Sequence, residues 1–185
     1  MSAPTAEDVC KLFELSDGAR ELLTPGVRPR PFLETLIARG HHADAVLLMA
    51  HAMPKREAIW WACHCVRKTA ERGLDPGSEA IVAAAEKWVA KPSDEGRREA
   101  FRLAEAESFA PPAGFVGMAV FFSSGSLSLP GMPVVPPKDH LTAGMVGNAV
   151  KVAAASRGGA KMPETYPPLL AVGLEIAEGK NRWKE

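Results

Sequence analysis

His41, His42, Asp44, His51, Cys63, His64 and Cys65, all of metal-ligating or nucleophilic type, fall between positions 41 and 65. Such a set could build a zinc centre, or a thiol nucleophile with an imidazole base. Zinc needs ligands that converge on a tetrahedron, and the spacing works against that. On a helix, Cys63, His64 and Cys65 project ~100° apart in succession, so no two of them easily share one metal. The cysteines are not spaced as CxxC, and HHADA at 41–45 is not HExxH. Cys63 also falls on an apolar stripe, where a thiol is raised in pKa and inert. The cluster therefore reads first as core-filling thiols and histidines at helix ends. A metal-binding protein or enzyme built on residues 41–65 is the alternative. No residue is assigned a catalytic role and no cofactor is implied. Neither GxxxxGK[ST] nor GxGxxG occurs, and Gly158-Gly159-Ala160-Lys161 reads as a helix stop.

Recognition chemistry is better represented. Trp60 and Trp61 are adjacent, so one indole should anchor the core and the other should sit at an edge with its N–H toward a partner. Beside them, Glu57 suits the positive end of its helix, whereas Lys55 and Arg56 do not, so these cations should pair with Asp44 or face an acidic partner. Residues 123–137 (SSGSLSLPGMPVVPP) form the longest irregular segment. Leu127, Leu129, Met132, Val134 and Val135 are too apolar for a solvated linker. Pro130, Pro133, Pro136 and Pro137 forbid a helix and lower the entropy lost on ordering. Pro133 and Pro136 make a PxxP pattern, read here as rigid packing rather than a polyproline ligand. The expected interface comprises Trp61, Lys55, Arg56, Met132, Val134 and Val135.

The totals narrow the partners. Lysines and arginines number 22, as do aspartates and glutamates, among 185 residues. A nucleic-acid binder would carry a basic excess or face, and an electrostatic membrane anchor likewise. No tract approaches the ~18–20 apolar residues of a spanning helix. MSAPTAEDVCKLFEL places an acidic pair where a signal peptide would be basic. The three cysteines, two of them one residue apart within a helix, make a poor disulfide framework. A cytoplasmic protein with a protein partner, no nucleic acid and no membrane insertion is expected. At this length about 70% of the unfolded surface can be buried, so one domain stands without staples.

The elements that would position these residues are helical. Thr5, with Glu7 and Asp8 in the first turn, starts a helix whose stripe is Val9, Leu12, Phe13 and Ser16. TPGVRPRP at 24–31 is a connector, and Gly40 stops a short helix carrying Phe32, Leu33, Leu36 and Ile37. Ala43–Ala52 is apolar nearly all round. The helix after Pro54 has two stripes, Ile59/Cys63/Val66/Ala70 and Trp61/Cys65, as befits a central helix packed on two faces. Asp75 or Ser78 caps the next helix, and Ser93 the one after. That last helix turns Ala100, Phe101 and Ala104 inward, and Arg97, Arg98, Glu99, Arg102 and Glu105 outward to solvent. FVGMAVFF at 115–122 is read as a buried helix because no second strand exists to pair with it. Thr142 caps a long helix ending at Gly158, and a last helix covers about 167–178.

Two blocks carry a resemblance. The first is Asp44-Ala45-Val46, Ala50-His51, then Pro54-Lys55-Arg56-Glu57-Ala58 and Trp60-Trp61-Ala62-Cys63. The second runs from Gly114 through Met118, Ala119, Phe121, Ser123 and Gly125 to Ser126-Leu127, followed by a Pro-rich loop and HLTAG. Together they resemble a bacterial family of domains of unknown function with the signature DAVxxxAHxxPKREAxWWAC. That resemblance implies bacterial origin and company with type VI secretion components, and supplies no catalytic residue. The expected architecture is all-α: a compact bundle of eight or nine helices stacked as hairpins, one domain over 5–180 and a tail at 181–185. The expected function is a non-catalytic adaptor, chaperone or accessory subunit.

Overall fold

The computed structural model describes residues 5–183, and among them every regular element is helical, with no strand. The order is α1 (Ala6–Cys10), α2 (Asp17–Arg20), α3 (Pro29–Ala38), α4 (His42–Ala52), α5 (Lys55–Thr69), α6 (Pro76–Ala90), α7 (Asp94–Ala106), α8 (Ala113–Phe121), α9 (His140–Ala155), a 3-10 turn at Gly159–Lys161, and α10 (Met162–Ala177). The all-α class is as expected. The described residues hold ten α-helices rather than eight or nine, the unexpected one being the four-residue α2.

Local chemistry starts several helices where the sequence places them. Thr5 and Asp8 form a reciprocal capping box on α1. Asp75 accepts from the Ser78 amide at the start of α6, and Ser93 from the Gly96 amide at the start of α7. Gly40 (φ +78°) ends α3 in the left-handed region, whereas α5 already ends at Thr69, ahead of the turn that Gly73 (φ +81°) closes.

Consecutive helices pack on one another: α3 on α4, α5 on α6, α6 on α7, α7 on α8 and α8 on α9. α9 returns to cover α4 and α5, and α10 closes over α5. This is the expected stacking of helical hairpins. α5 is central, with Ala58, Ile59, Trp61, Ala62, Cys63, Cys65 and Val66 all buried. The 115–122 segment is helix, buried nearly all round as α8. Its approach to α7 needs Gly117, because a Cβ there would stand 2.7 Å from Ala104 Cβ and 2.8 Å from the Ala100 carbonyl oxygen. One continuous hydrophobic core runs from Ala6 and Val9 to Leu169 and Ile176.

Four helix limits differ from expectation, the first being α3, which begins at Pro29 inside the stretch read as a connector. The stripe through Leu12, Phe13 and Ser16 breaks, since α1 ends at Cys10 and Leu12 is exposed. Ser16 instead caps α2 and donates both its amide and its hydroxyl to buried Asp44, each at 2.8 Å. Thr142 does not cap α9, which begins two residues earlier. α10 begins at Met162 and holds Pro167 and Pro168 inside it. Their missing amides release the carbonyls of Pro163 and Glu164, two exposed residues on which water can substitute. Of the tail expected at 181–185, residues 184 and 185 lie outside the described residues. Asn181 and Trp183 lie against α5, where the Trp60 indole donates to the Asn181 carbonyl at 2.8 Å.

Candidate functional site

The residues between 41 and 65 do not converge. Asp44 is occupied by Ser16. His41 lies 3.9 Å from the Asp44 carboxylate, and His42 faces Tyr166. His51 stacks on Phe13 at 5.1 Å. His64 meets the Trp60 ring edge-on at 4.6 Å. Burial pushes the Cys63 and Cys65 thiols well above the ordinary range, so neither supplies a thiolate at neutral pH. Cys10, half-buried near Asp44, is raised to about 11, by burial first and the carboxylate second. Among the described residues no three His, Cys, Asp or Glu side chains lie where one metal ion could be held.

The α5 residues expected at an interface are largely consumed within the fold. Trp61 is the core anchor, wholly buried, its indole N–H donating to the Leu169 carbonyl at 2.8 Å. Its place at an interface is therefore corrected: Trp60 is the edge indole. Arg56 does not pair with Asp44. It donates to the carbonyls of Val89 and Ala90, satisfying the end of α6, and its guanidinium lies 4.2 Å over the Trp183 ring. Lys55 pairs with Asp139 at 3.2 Å.

The loop between α8 and α9 is different. Its base is pinned from α7 by two arginines. Arg97 is wholly buried, correcting its reading as part of a solvated face. It donates to the Phe121 carbonyl at 2.7 Å, to the Ser126 carbonyl at 2.9 Å, and to Asp94 at 2.6 Å. Arg98 reaches the Ser128 carbonyl at 2.9 Å and the same aspartate at 2.8 Å. Hydrogen bonds from Arg98 and Arg97 hold the Asp94 carboxyl below its usual range. Inside the loop the Ser126 hydroxyl accepts from the amides of Ser128 and Val135, and the Leu127 amide donates to the Val135 carbonyl at 2.8 Å. Gly125 turns the chain at φ +68°, where a Cβ would press against Asp94 and Arg97.

This scaffold holds the tip outward. Leu129 and Val134 are each 74% exposed, Met132 62% and Val135 48%. Apolar side chains gathered this way on one ordered loop are what a docking surface needs. Beside the tip runs a groove of about 610 Å³ between the loop and α7, floored by Phe101, Phe121, Leu127 and Pro130. Its rim carries Glu95, Arg98, Glu99, Arg102 and Glu105. Arg98 is taken by Asp94 and Arg102 by Glu99, while Glu95 and Glu105 have no ion-pair partner among the described residues. The rim is therefore net acidic.

Met132, Val134 and Val135 lie in the irregular apolar loop expected from the sequence, whereas the arginine prop and the groove take shape only in the fold. The signal was present: Arg97 stands on the stripe of Ala100, Phe101 and Ala104, at the inward i, i+3, i+4, i+7 spacing. An arginine there either breaks the stripe or is buried with acceptors found for it.

Residues 32–177 match the model of a family of unknown function, DUF6931. The matched span contains both sequence blocks described above. Neither the curated proteins nor the solved structures provide a match.

Proposed function

We propose that this chain, which belongs to the DUF6931 family, works as a non-catalytic protein-interaction module whose docking surface is the 127–135 loop with the adjoining groove on α7. The observation that carries the reading is the exposure of Leu129, Met132, Val134 and Val135 on a loop held from beneath by buried Arg97. An unstructured apolar loop would lose entropy on binding, whereas one already pinned loses little. The acidic rim selects the partner: an apolar protein segment flanked by lysine or arginine meets Glu95 and Glu105 favourably. The same carboxylates disfavour a nucleic-acid backbone. They also disfavour a second copy laid symmetrically on the groove, which would bring like charges together.

Charge balance and the lack, among the described residues, of a helix long and apolar enough to cross a membrane suit an adaptor, chaperone or accessory subunit. We carry its cytoplasmic location, its bacterial origin and the type VI secretion company implied by the sequence resemblance as parts of the same proposal. The test is the double variant Met132→Ser, Val134→Ser. Both side chains are mostly in water, so the variant should melt as the parent does while losing the partner. Capture that survives the double substitution refutes the docking surface.

A further inference from the structure

The starts of α5 and α9 meet at a second cavity, about 250 Å³ in volume, small for a drug-sized ligand and suited to a small group. His51 at the end of α4, Lys55 in the first turn of α5, and Asp139, His140 and Thr142 at the start of α9 all line it. The two helix starts are long enough to matter, at 15 and 16 residues, and neither receives a side-chain cap. First-turn amides and the positive ends of two helix dipoles thus gather at one place. Lys55 adds an ammonium and the two imidazoles add N–H donors.

An independent observation points to a missing ligand. Thr142 is wholly buried, and its hydroxyl has no hydrogen-bond partner. A buried hydroxyl is ordinarily satisfied, and one left over at the wall of a cavity asks for an acceptor or donor from outside the chain. The acid lining the cavity, Asp139, points the same way. Its side chain is fully exposed, yet its carboxylate reaches Lys55 at 3.2 Å. A surface pair of this kind holds weakly, so a carboxylate occupies the mouth in a form that a better anion can displace.

We propose that this cavity binds a phosphate-class oxyanion on a small molecule, held by Lys55, the imidazoles of His51 and His140, the Thr142 hydroxyl and the amides of the two helix starts. Donors arriving from α4, α5 and α9 suit a tetrahedral group with several acceptor oxygens better than a planar carboxylate with two. The site is independent of the docking loop, so either can fail without the other.

The probe is inorganic phosphate, titrated into the full chain and followed by phosphorus NMR and thermal melting. Sodium chloride and acetate at matched pH and ionic strength serve as controls. Saturable binding and a raised Tm with phosphate, absent with chloride and acetate, are expected. Thr142→Val removes the hydroxyl at nearly constant shape, so the variant should melt no lower than the parent while phosphate affinity falls roughly tenfold or more. Phosphate also stabilises proteins in general by exclusion from their surface. That effect acts equally on parent and variant, so the difference between them isolates the site. Asp139→Asn, at an exposed position, should tighten phosphate binding by removing the competing carboxylate. An equal response to all three salts, parent-like affinity in Thr142→Val, or no tightening in Asp139→Asn overturns the assignment.

Discussion

Arg97→Ala removes the support of the loop without touching its exposed tip. Three interactions go at once: donation to the Phe121 carbonyl at 2.7 Å, to the Ser126 carbonyl at 2.9 Å and to Asp94 at 2.6 Å. The buried Phe121 carbonyl, left without its donor, costs about 1–3 kcal/mol, while the part-buried Ser126 carbonyl keeps Arg98 at 3.3 Å and costs less. Asp94 is 58% exposed and regains water, so its loss adds little. The guanidinium lies 4.7 Å over the Phe121 ring, a contact worth about 0.5–2 kcal/mol. Against these stands the desolvation cost of a buried cation, several kcal/mol, which the variant no longer bears. Truncating a wholly buried side chain also forfeits its packing, and the net is a destabilisation of roughly 1–3 kcal/mol, a sizeable part of a typical domain's stability. Arg97→Lys should fall between parent and alanine, since an ammonium cannot fork to two carbonyls and a carboxylate. Arg102→Ala on the same helix is the control: its side chain is 62% exposed and its pair with Glu99 is worth about 0–1 kcal/mol. Urea unfolding gives the stabilities, and limited proteolysis between Ser123 and Pro137 reports the loop. If Arg97→Ala is no less stable than Arg102→Ala, or its loop resists protease as the parent's does, Arg97 is not the prop.

The tryptophan pair should separate cleanly: Trp61→Ala costs about 3–5 kcal/mol because a wholly buried indole and its hydrogen bond are lost, and Trp60→Ala costs less. Equal melting of the two variants contradicts the assignment of core and edge. Acid should also weaken the fold through His51, whose pKa is lowered to about 4, by burial first and the charge of His140 second. A depressed histidine lends stability that is full above its unfolded value of about 6.5 and lost as pH falls toward 4. Partial exposure keeps that loss to roughly 1–2 kcal/mol, and urea unfolding at stepped pH should show a flatter slope across this window in His51→Gln. An unchanged slope removes His51 from the account.

Much of this fold is written in local sequence. Ser93 with Asp94 and Glu95, Asp75 before Pro76, and the glycine at 40 mark helix ends with groups whose chemistry works within one turn. The misread limits depend on distant partners. α1 stops short because Ser16 is drawn to Asp44, 28 residues away, and no periodicity over residues 5–16 reports that bond. α10 tolerates two internal prolines because the carbonyls they release face solvent, which is known only once the helix is docked. The site divides the same way. The apolar, proline-stiffened loop is legible from composition, whereas its prop is only half legible: spacing turns Arg97 inward with Ala100, Phe101 and Ala104, but the acceptors that let it be buried are carbonyls 24 and 29 residues further along. The oxyanion cavity joins residues 51–55 to residues 139–142 and has no trace in any single segment.

The docking reading meets its sharpest test in crosslinking from the loop tip inside the producing cell. A photo-crosslinking side chain at Val134, 74% exposed, is compared with one at Lys11, whose side chain is 73% exposed on α1's C-terminal cap. The account predicts one discrete adduct from position 134 and none from position 11, with the crosslinked partner peptide carrying apolar residues flanked by lysine or arginine. The Glu105→Lys variant should weaken that adduct. No adduct from position 134, equal adducts from both positions, or a crosslinked peptide that is acidic would contradict the central claim.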